Sequence, residues 1–415
     1  MRWRIAVLVS AAIAVSYLDR QTLPLAVQSI ARDIPLTNTQ FSSLQSAFLF
    51  SYALMYAGGG KLVDLLGTRR GFTVIMVSWS LACASHALAT SFILLATSRF
   101  LLGLGEGGGF PAATRAVAEC FTPAERATAM GIINAGTAVG AIVAPPLIAS
   151  VLLVTSWRWI FLVTGTLGLV WILWWRFSYP REHRAGMGDP DLYSDPGAQE
   201  PRPVPWIRLF SLRETWGLAA AKFLSDAAWF FYLFWLPKYL FDARGFDIKR
   251  VGAFAWMPSA AAGLGCLLGG SLSSYLIQRS FSVSTARKVA LGLSAAVMPF
   301  AILVPHVPVS WSIALFCLAY FGQQSWSTLV MVLPTDLFPS RIVGSVAGIV
   351  GFGGAMGGIV FGQIVGYLLD HGFGYGAVFA VAGLLHVTAF LVVLGFIPSV
   401  ELLPLGQKIR AEEVV

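Results

Sequence analysis

Apolar positions along this chain do not alternate with polar ones; they come in unbroken runs of about 20 residues, from Ile5 to Ile397, each long enough to cross a ~30 Å hydrocarbon core as a helix. A spanning segment must satisfy its own backbone hydrogen bonds, which leaves helices or closed barrels, and these runs lack the two-residue alternation of barrel strands. The pattern therefore predicts twelve transmembrane helices, over 4–30, 41–62, 72–90, 92–119, 125–152, 157–178, 214–240, 250–275, 285–305, 309–334, 340–369 and 375–398. The expected fold class is an all-α membrane protein.

Composition strengthens this reading. Of 415 residues, 57% are hydrophobic and 12% charged, and the mean hydropathy is +0.73. A soluble domain carries about 25% charge, and half of that cannot cover a chain of this size in water. The net charge of +8 raises the question of nucleic acid. However, the basic residues gather in alternate loops, which is the positive-inside signature of membrane topology. Arg2 and Arg4 precede the first span; Lys61, Arg69 and Arg70 follow the second; Arg176, Arg181, Arg184, Arg202, Arg208 and Arg213 surround the central loop; Arg279, Arg287 and Lys288 follow the eighth. With twelve spans these share one side, so both termini are expected in the cytoplasm. The loop 241–250 is the exception, with Arg244, Lys249 and Arg250 beside Asp242 and Asp247. Basic residues, an apolar run and small residues at Ala12 and Ala14 give the N-terminus some features of a signal peptide, but the spans that follow favour an uncleaved first helix.

The longest polar interval, 179–213, reads as a cytoplasmic linker. It divides the chain into a six-helix bundle over 1–178 and a second over 214–398, with a cytoplasmic tail over 399–415. The halves carry matching sequence. Gly59, Gly60 and Leu62 after the second span align with Gly269, Gly270 and Leu272 after the eighth. Glu119, Phe121 and Pro123, leading to Arg126 and Gly131, echo Asp336, Phe338 and Pro339, leading to Arg341 and Gly348. Parallel repeats of this kind place a substrate site near the bilayer midplane, between halves that rock against each other.

Charges stand where charges are expensive. Asp19, Arg20, Arg99 and Glu106 lie inside otherwise apolar spans, and each costs on the order of 3 kcal/mol at a helix centre unless it faces a cavity and a partner. Arg99 and Glu106 are seven apart, which puts them on one helix face. Arginine can hold a carboxylate by a two-pronged, charge-assisted hydrogen bond, and a neighbouring acid can carry a proton. The alternative is a permanent ion pair that pins helices together. Lys222 and Asp226, four apart in the seventh span, read first as a mutually neutralising pair and second as a substrate contact. Lys238, after Pro237, is expected to extend towards lipid headgroups.

Other motifs add less. Gly103, Gly105 and Gly108 satisfy the dinucleotide pattern, but no strand precedes them, so close helix packing or a hinge at Pro111 is expected instead. Cys83, Cys120, Cys266 and Cys317 form no CxxC pair, and the five histidines lack ligand spacing. Neither disulfide nor metal site is expected, and no cofactor.

The duplicated plan and the stretch 60–70, GKLVDLLGTRR, resemble the major facilitator superfamily, although Leu65 stands where its loop motif usually has a basic residue, a departure expected to weaken a cytoplasmic gate contact. Nearly the whole chain resembles the anion:cation symporter family and its hexuronate-transporter branch. The resemblance rests on Tyr17, Leu18, Asp19 and Arg20; on Phe50 to Ala53; on Arg99 to Glu106 and on to Pro111; on Asn134 to Thr137; and on Phe231 to Lys238 with Gln324, Trp326 and Ser327. It implies proton-coupled symport of a small organic anion, most readily a hexuronate or related sugar acid, by a functional monomer. Asp19 and Glu106 would be the proton-linked acids, Arg20 the substrate-carboxylate partner and Arg99 an electrostatic neighbour. Tyr17, Tyr52, Thr137, Gln324 and Trp326 would be contacts in the cavity. Gly109 and Leu329 stand where an asparagine is usual, Gln323 where a histidine is, and Ser16 where an asparagine is frequent. Those departures are expected to broaden or shift specificity, since unmet sugar hydroxyls are costly in a dry site. An exchanger or uniporter of another carboxylate is the nearest alternative reading; a membrane enzyme or sensor is a distant one, since the first would need a convergent catalytic set and the second an extra soluble domain, and the sequence offers neither. The lack of an ATP-binding cassette motif points to an ion gradient as the driving force.

Overall fold

The computed structural model describes residues 2–121, 123–179, 209–338 and 340–403. The central part of the expected linker, with Arg181, Arg184, Arg202 and Arg208, and the tail from 404 lie outside the described residues, as do the side chains of Lys61, Arg126 and Arg341. Among the described residues there are fourteen α-helices and two 3-10 segments: α1 (Arg2–Asp33), α2 (Asn38–Leu66), α3 (Thr68–Ser85), α4 (Phe92–Gly107), α5 (Gly109–Cys120), α6 (Pro123–Val154), α7 (Trp157–Ser178), α8 (Arg213–Asp242), α9 (Ile248–Phe254), α10 (Trp256–Gln278), α11 (Val283–Ala296), α12 (Val309–Leu337), α13 (Ser340–Asp370) and α14 (Gly374–Phe396), with 3-10 turns at His86–Leu88 and Met298–His306.

These form twelve rods, because three breaks are local. The α4/α5 and α9/α10 breaks share one cause. Pro111 and Pro258 each stand third in the following helix, where proline has no N–H to return to the carbonyl four residues earlier. The third break, after α11, passes into the 3-10 segment through Pro299. By length and hydropathy alone, seven of the described helical segments are apolar enough to cross a membrane. The other rods include those carrying Asp19, Arg20, Arg99, Glu106, Lys222 and Asp226. Outward positions are apolar as well: Leu173 is 61% exposed and Leu391 60%, a surface suited to lipid rather than water.

The internal repeat is visible in how the rods touch. A Cβ built on Gly59 of the second rod would lie 2.7 Å from Cα of Gly108 in the fourth; one on its counterpart Gly269 of the eighth rod would lie 2.6 Å from Cα of Ser325 in the tenth. Both glycines are there because two backbones approach too closely for a side chain. The matched acids also share a place: Glu119 ends the fourth rod, holding Thr68, Arg115 and Tyr179, and Asp336 lies near the end of the tenth, holding Arg287 at 2.9 Å. Lys238 pairs with Asp242, one turn nearer the end of the same helix.

The two halves meet at the end of the bundle opposite Arg2. There α2 begins with a capping box between Thr37 and Gln40. Its next free N–H groups are taken by the other half: the Asp370 carboxylate, closing α13, accepts from the Asn38 backbone and side chain at 2.9 Å each and from the Thr39 backbone at 2.8 Å. Two turns inward, Gln363 donates to Ser46 at 2.9 Å. Gly366 and Gly362 let the helices close, since a Cβ would lie 2.8 Å from Thr39 and 3.1 Å from Ser42. Further along α13 a Cβ on Gly351 or Gly348 would meet nothing within 4 Å. A helix cap is worth about 1 kcal/mol, so Asp370→Ala should raise the alkylation rate of a cysteine placed at Ser46 about fivefold. The probe is a membrane-impermeant maleimide, on a background lacking the four native cysteines. An unchanged rate would mean that the cap does not hold the seam shut.

Candidate functional site

Inside the first half, α1 and α4 place their charges side by side. Arg20 and Glu106 come from helices 86 positions apart in sequence, and their side chains meet in an ion pair: Nε donates to Oε2 at 2.8 Å, with the carboxylate wholly buried. Ser16, one turn before Arg20, donates to the same oxygen at 2.7 Å. Oε1 of Glu106 is buried without a hydrogen-bond partner. Such an oxygen carries a desolvation cost that a proton or a ligand donor would relieve.

Aromatic rings enclose the guanidinium of Arg20. Its Cζ lies 4.6 Å from the ring centre of Tyr52, 4.8 Å from Tyr17 and 5.6 Å from Phe48. Cation–π contact lowers the cost of the buried charge while leaving the edge of the guanidinium available for planar hydrogen bonding. The rings of α2 continue as a ladder: Phe48 stacks on Tyr52 at 5.8 Å, and Tyr56 lies tilted to Tyr52 at 6.0 Å. Phe48 is buried, Tyr52 half-buried and Tyr56 43% exposed, so the ladder leads from the cage towards the end that carries Arg2.

Asp19 points away from this cage. Trp79 Nε1 donates to its Oδ2 at 2.7 Å, and the Cys83 thiol lies 3.5 Å from Oδ1. Arg99 donates from Nη2 to Gln45 at 3.1 Å and stands 5.5 Å from the Phe48 ring, while its Nε and Nη1 are buried without hydrogen-bond partners. Phe48 is thus shared by both arginines. Trp79, Cys83 and Gln45 were not expected here. No local pattern marks them, because their partners lie 54 to 64 residues away in sequence. Ser16 was singled out as a departure bearing on specificity, but its bond to Glu106, 90 residues away, had no signal in the sequence.

Glycines make this closeness possible. A Cβ on Gly103 would lie 2.1 Å from Ser51 Oγ, and one on Gly105 would lie 2.5 Å from Cα of Trp79. The GxGxxG pattern is therefore a helix-packing stripe, as expected from the missing strand. The break at Gly108 follows from Pro111.

The other expected positions contribute less to this cage. Thr137 is half-buried, its hydroxyl turned back to the Asn134 carbonyl at 2.7 Å. Gln324 is half-buried on α12. Trp326 is fully buried, 5.7 Å from the ring of His386, so its indole offers no surface to a ligand in this conformation. Leu329 is likewise buried in the core, whereas Gly109 faces open space. Gln323 hydrogen-bonds His386 of α14, so an imidazole meets it from another helix. Lys222 and Asp226 pair at 2.7 Å. Leu65 is exposed at the end of α2. Among the described residues no group of three or more potential metal ligands occurs.

Two matched six-rod halves, with ion-paired charges buried among apolar helices, define a multi-pass membrane transporter rather than an enzyme. The chain belongs to the Major Facilitator Superfamily, whose family model matches residues 9–362. It is 31% identical to the hexuronate transporter of Escherichia coli K12 over 95% of this chain and 93% of that one. It is 33% identical to the galacturonate transporter of Dickeya chrysanthemi, over 72% of this chain and 89% of that one. Among solved structures, a bacterial homologue of the human lysosomal transporter Spinster, inward-facing and unoccupied, superposes with a TM-score of 0.74 at 18% identity, covering 96% of this chain and 98% of that one. That likeness is one of fold.

The α3–α4 spacing yields a direct check. Gly105→Val should lower the melting temperature of the purified protein in detergent, at a cost of about 2 kcal/mol, because its side chain meets backbone that cannot yield. Gly109→Ala, facing open space, should melt as the parent does. Equal melting of the two variants would show that this spacing does not hold Trp79 on Asp19.

Proposed function

We propose that the protein imports a sugar acid, a hexuronate or close relative, across the bacterial inner membrane by proton symport, as a monomer with both termini in the cytoplasm. The observation that carries this reading is the caged Arg20, paired to a Glu106 whose second oxygen has no partner. The names of the relatives supply the substrate class. The rods over 1–178 and 214–398 act as the rocking halves, joined by the linker 179–213 and followed by the tail 399–415.

The coupling follows from competition for one cation. A substrate carboxylate docking on the guanidinium in bidentate fashion replaces Glu106 as its partner. A carboxylate that loses its cation in a dry site takes up a proton rather than remain charged and alone. Proton and substrate thus load together, and both are released when Arg20 reclaims Glu106. Asp19, held by Trp79 and Cys83, is the second acid in this scheme, and Arg99 biases both by its charge. Tyr17 and Tyr52 present hydroxyls to the sugar, and Thr137 and Gln324 complete the contacts as the halves close. Trp326 enters only if closure uncovers it.

Uptake of labelled glucuronate and galacturonate into liposomes, with and without an inward proton gradient, tests the proposal. Gradient-stimulated accumulation competed by hexuronates is the expected result; transport of a different carboxylate alone would reassign the substrate. Glu106→Gln should cut gradient-driven accumulation at least tenfold, yet hold exchange of substrate for substrate within about threefold, because exchange needs no net proton movement. Equal loss of both would make Glu106 structural. Arg20→Lys should raise KM by about tenfold, since a point charge cannot reproduce the two-pronged contact. An unchanged KM would remove Arg20 from the carboxylate site.

A further inference from the structure

The second half holds one buried ion pair that the coupling scheme does not use. Lys222 and Asp226 lie one turn apart on α8, their side chains each 10% exposed. The ammonium donates to Asp226 Oδ1 at 2.7 Å and to Ser327 Oγ of α12 at 3.3 Å. Room for the pair comes from α13: a Cβ on Gly354 would lie 2.2 Å from Asp226 Oδ2 and 3.1 Å from Lys222 Cγ. Their helix α8 packs against α1, whose Tyr17 ring is 4.8 Å from the Arg20 guanidinium. The pair therefore sits across the seam from the cage, on the helix that packs against α1.

We propose that Lys222, Asp226 and Ser327 form the subsite for the hydroxylated end of the substrate, and that their charge balance selects acids with one carboxylate over those with two. This rests on the sugar-acid reading above. The ammonium is already answered by a carboxylate at 2.7 Å, so the pair offers no net positive charge to a second carboxylate. A second carboxylate arriving there would lose its hydration beside Asp226, a like-charge contact that works against such a ligand. A hydroxyl is suited to the same place. It donates to the Asp226 carboxylate and accepts from the Lys222 ammonium, leaving no group unmet. Uronates and aldonates fit this description; aldarates do not.

The test is competition against labelled glucuronate uptake in liposomes, with glucuronate, gluconate and glucarate as unlabelled rivals. For the parent protein, glucarate should compete at least about tenfold more weakly than glucuronate or gluconate, in keeping with one unfavourable charge contact. Asp226→Asn leaves Lys222 unopposed, and the ratio should shift towards glucarate by about tenfold or more. Ser327→Ala, which removes a neutral anchor and is the variant to use if Asp226→Asn does not fold, should shift it the same way by about two- to threefold. Glucarate competing as well as glucuronate in the parent, or a ratio that neither variant moves, overturns the proposal while leaving sugar-acid transport intact. Absence of glucuronate uptake by the parent would overturn both.

Discussion

A charge inside a membrane bundle must be answered, and the architecture around Arg20 consists of the answers. Three rings take part of its field, and Glu106 takes the rest at 2.8 Å. Each answer demands a close approach of helices. Glu106 reaches α1 only because its own helix lies hard against α2 and α3, and that contact exists because Gly103 and Gly105 carry no side chain. The packing of the first half and its chemistry are therefore one problem. The glycines that bring the backbones together also fix where the carboxylate lies, and the orphaned Oε1 is the remainder that this packing leaves unmet.

The two halves use the same means for different ends. Gly59 and Gly269 occupy equivalent places and serve equivalent contacts, and Glu119 and Asp336 end equivalent rods. The buried charges do not follow that symmetry. Asp19, Arg20, Arg99 and Glu106 are all in the first half, while the second holds the compact pair Lys222 and Asp226 and the contact of His386 with Gln323. Duplication supplied the frame. The differences between the copies carry the chemistry.

The spans, the internal repeat and the identity of the buried charges were all legible in the sequence. Each depends on local composition: a polar residue inside a 20-residue apolar run is visible without its partner. What could not be read was pairing. Arg99 and Glu106 share a face, as their spacing implied, yet the nearest contacts are Gln45 for the first and Arg20 for the second, through helices far apart in the chain. Trp79 gave no signal, since one tryptophan in an apolar run looks like any other. Nor did the motif around Trp326 show that the indole packs against His386 in this conformation.

The closure at the far end is made of a different material from the interior. Asn38, Thr39 and Asp370 meet at an exposed position, so every hydrogen bond broken when the halves part there can be remade with water at once. A seal of buried leucines would hold more tightly but would have to be wetted each time it opened. If the halves rock as proposed, fastening them with solvent-replaceable bonds would keep the shut and open forms near in free energy.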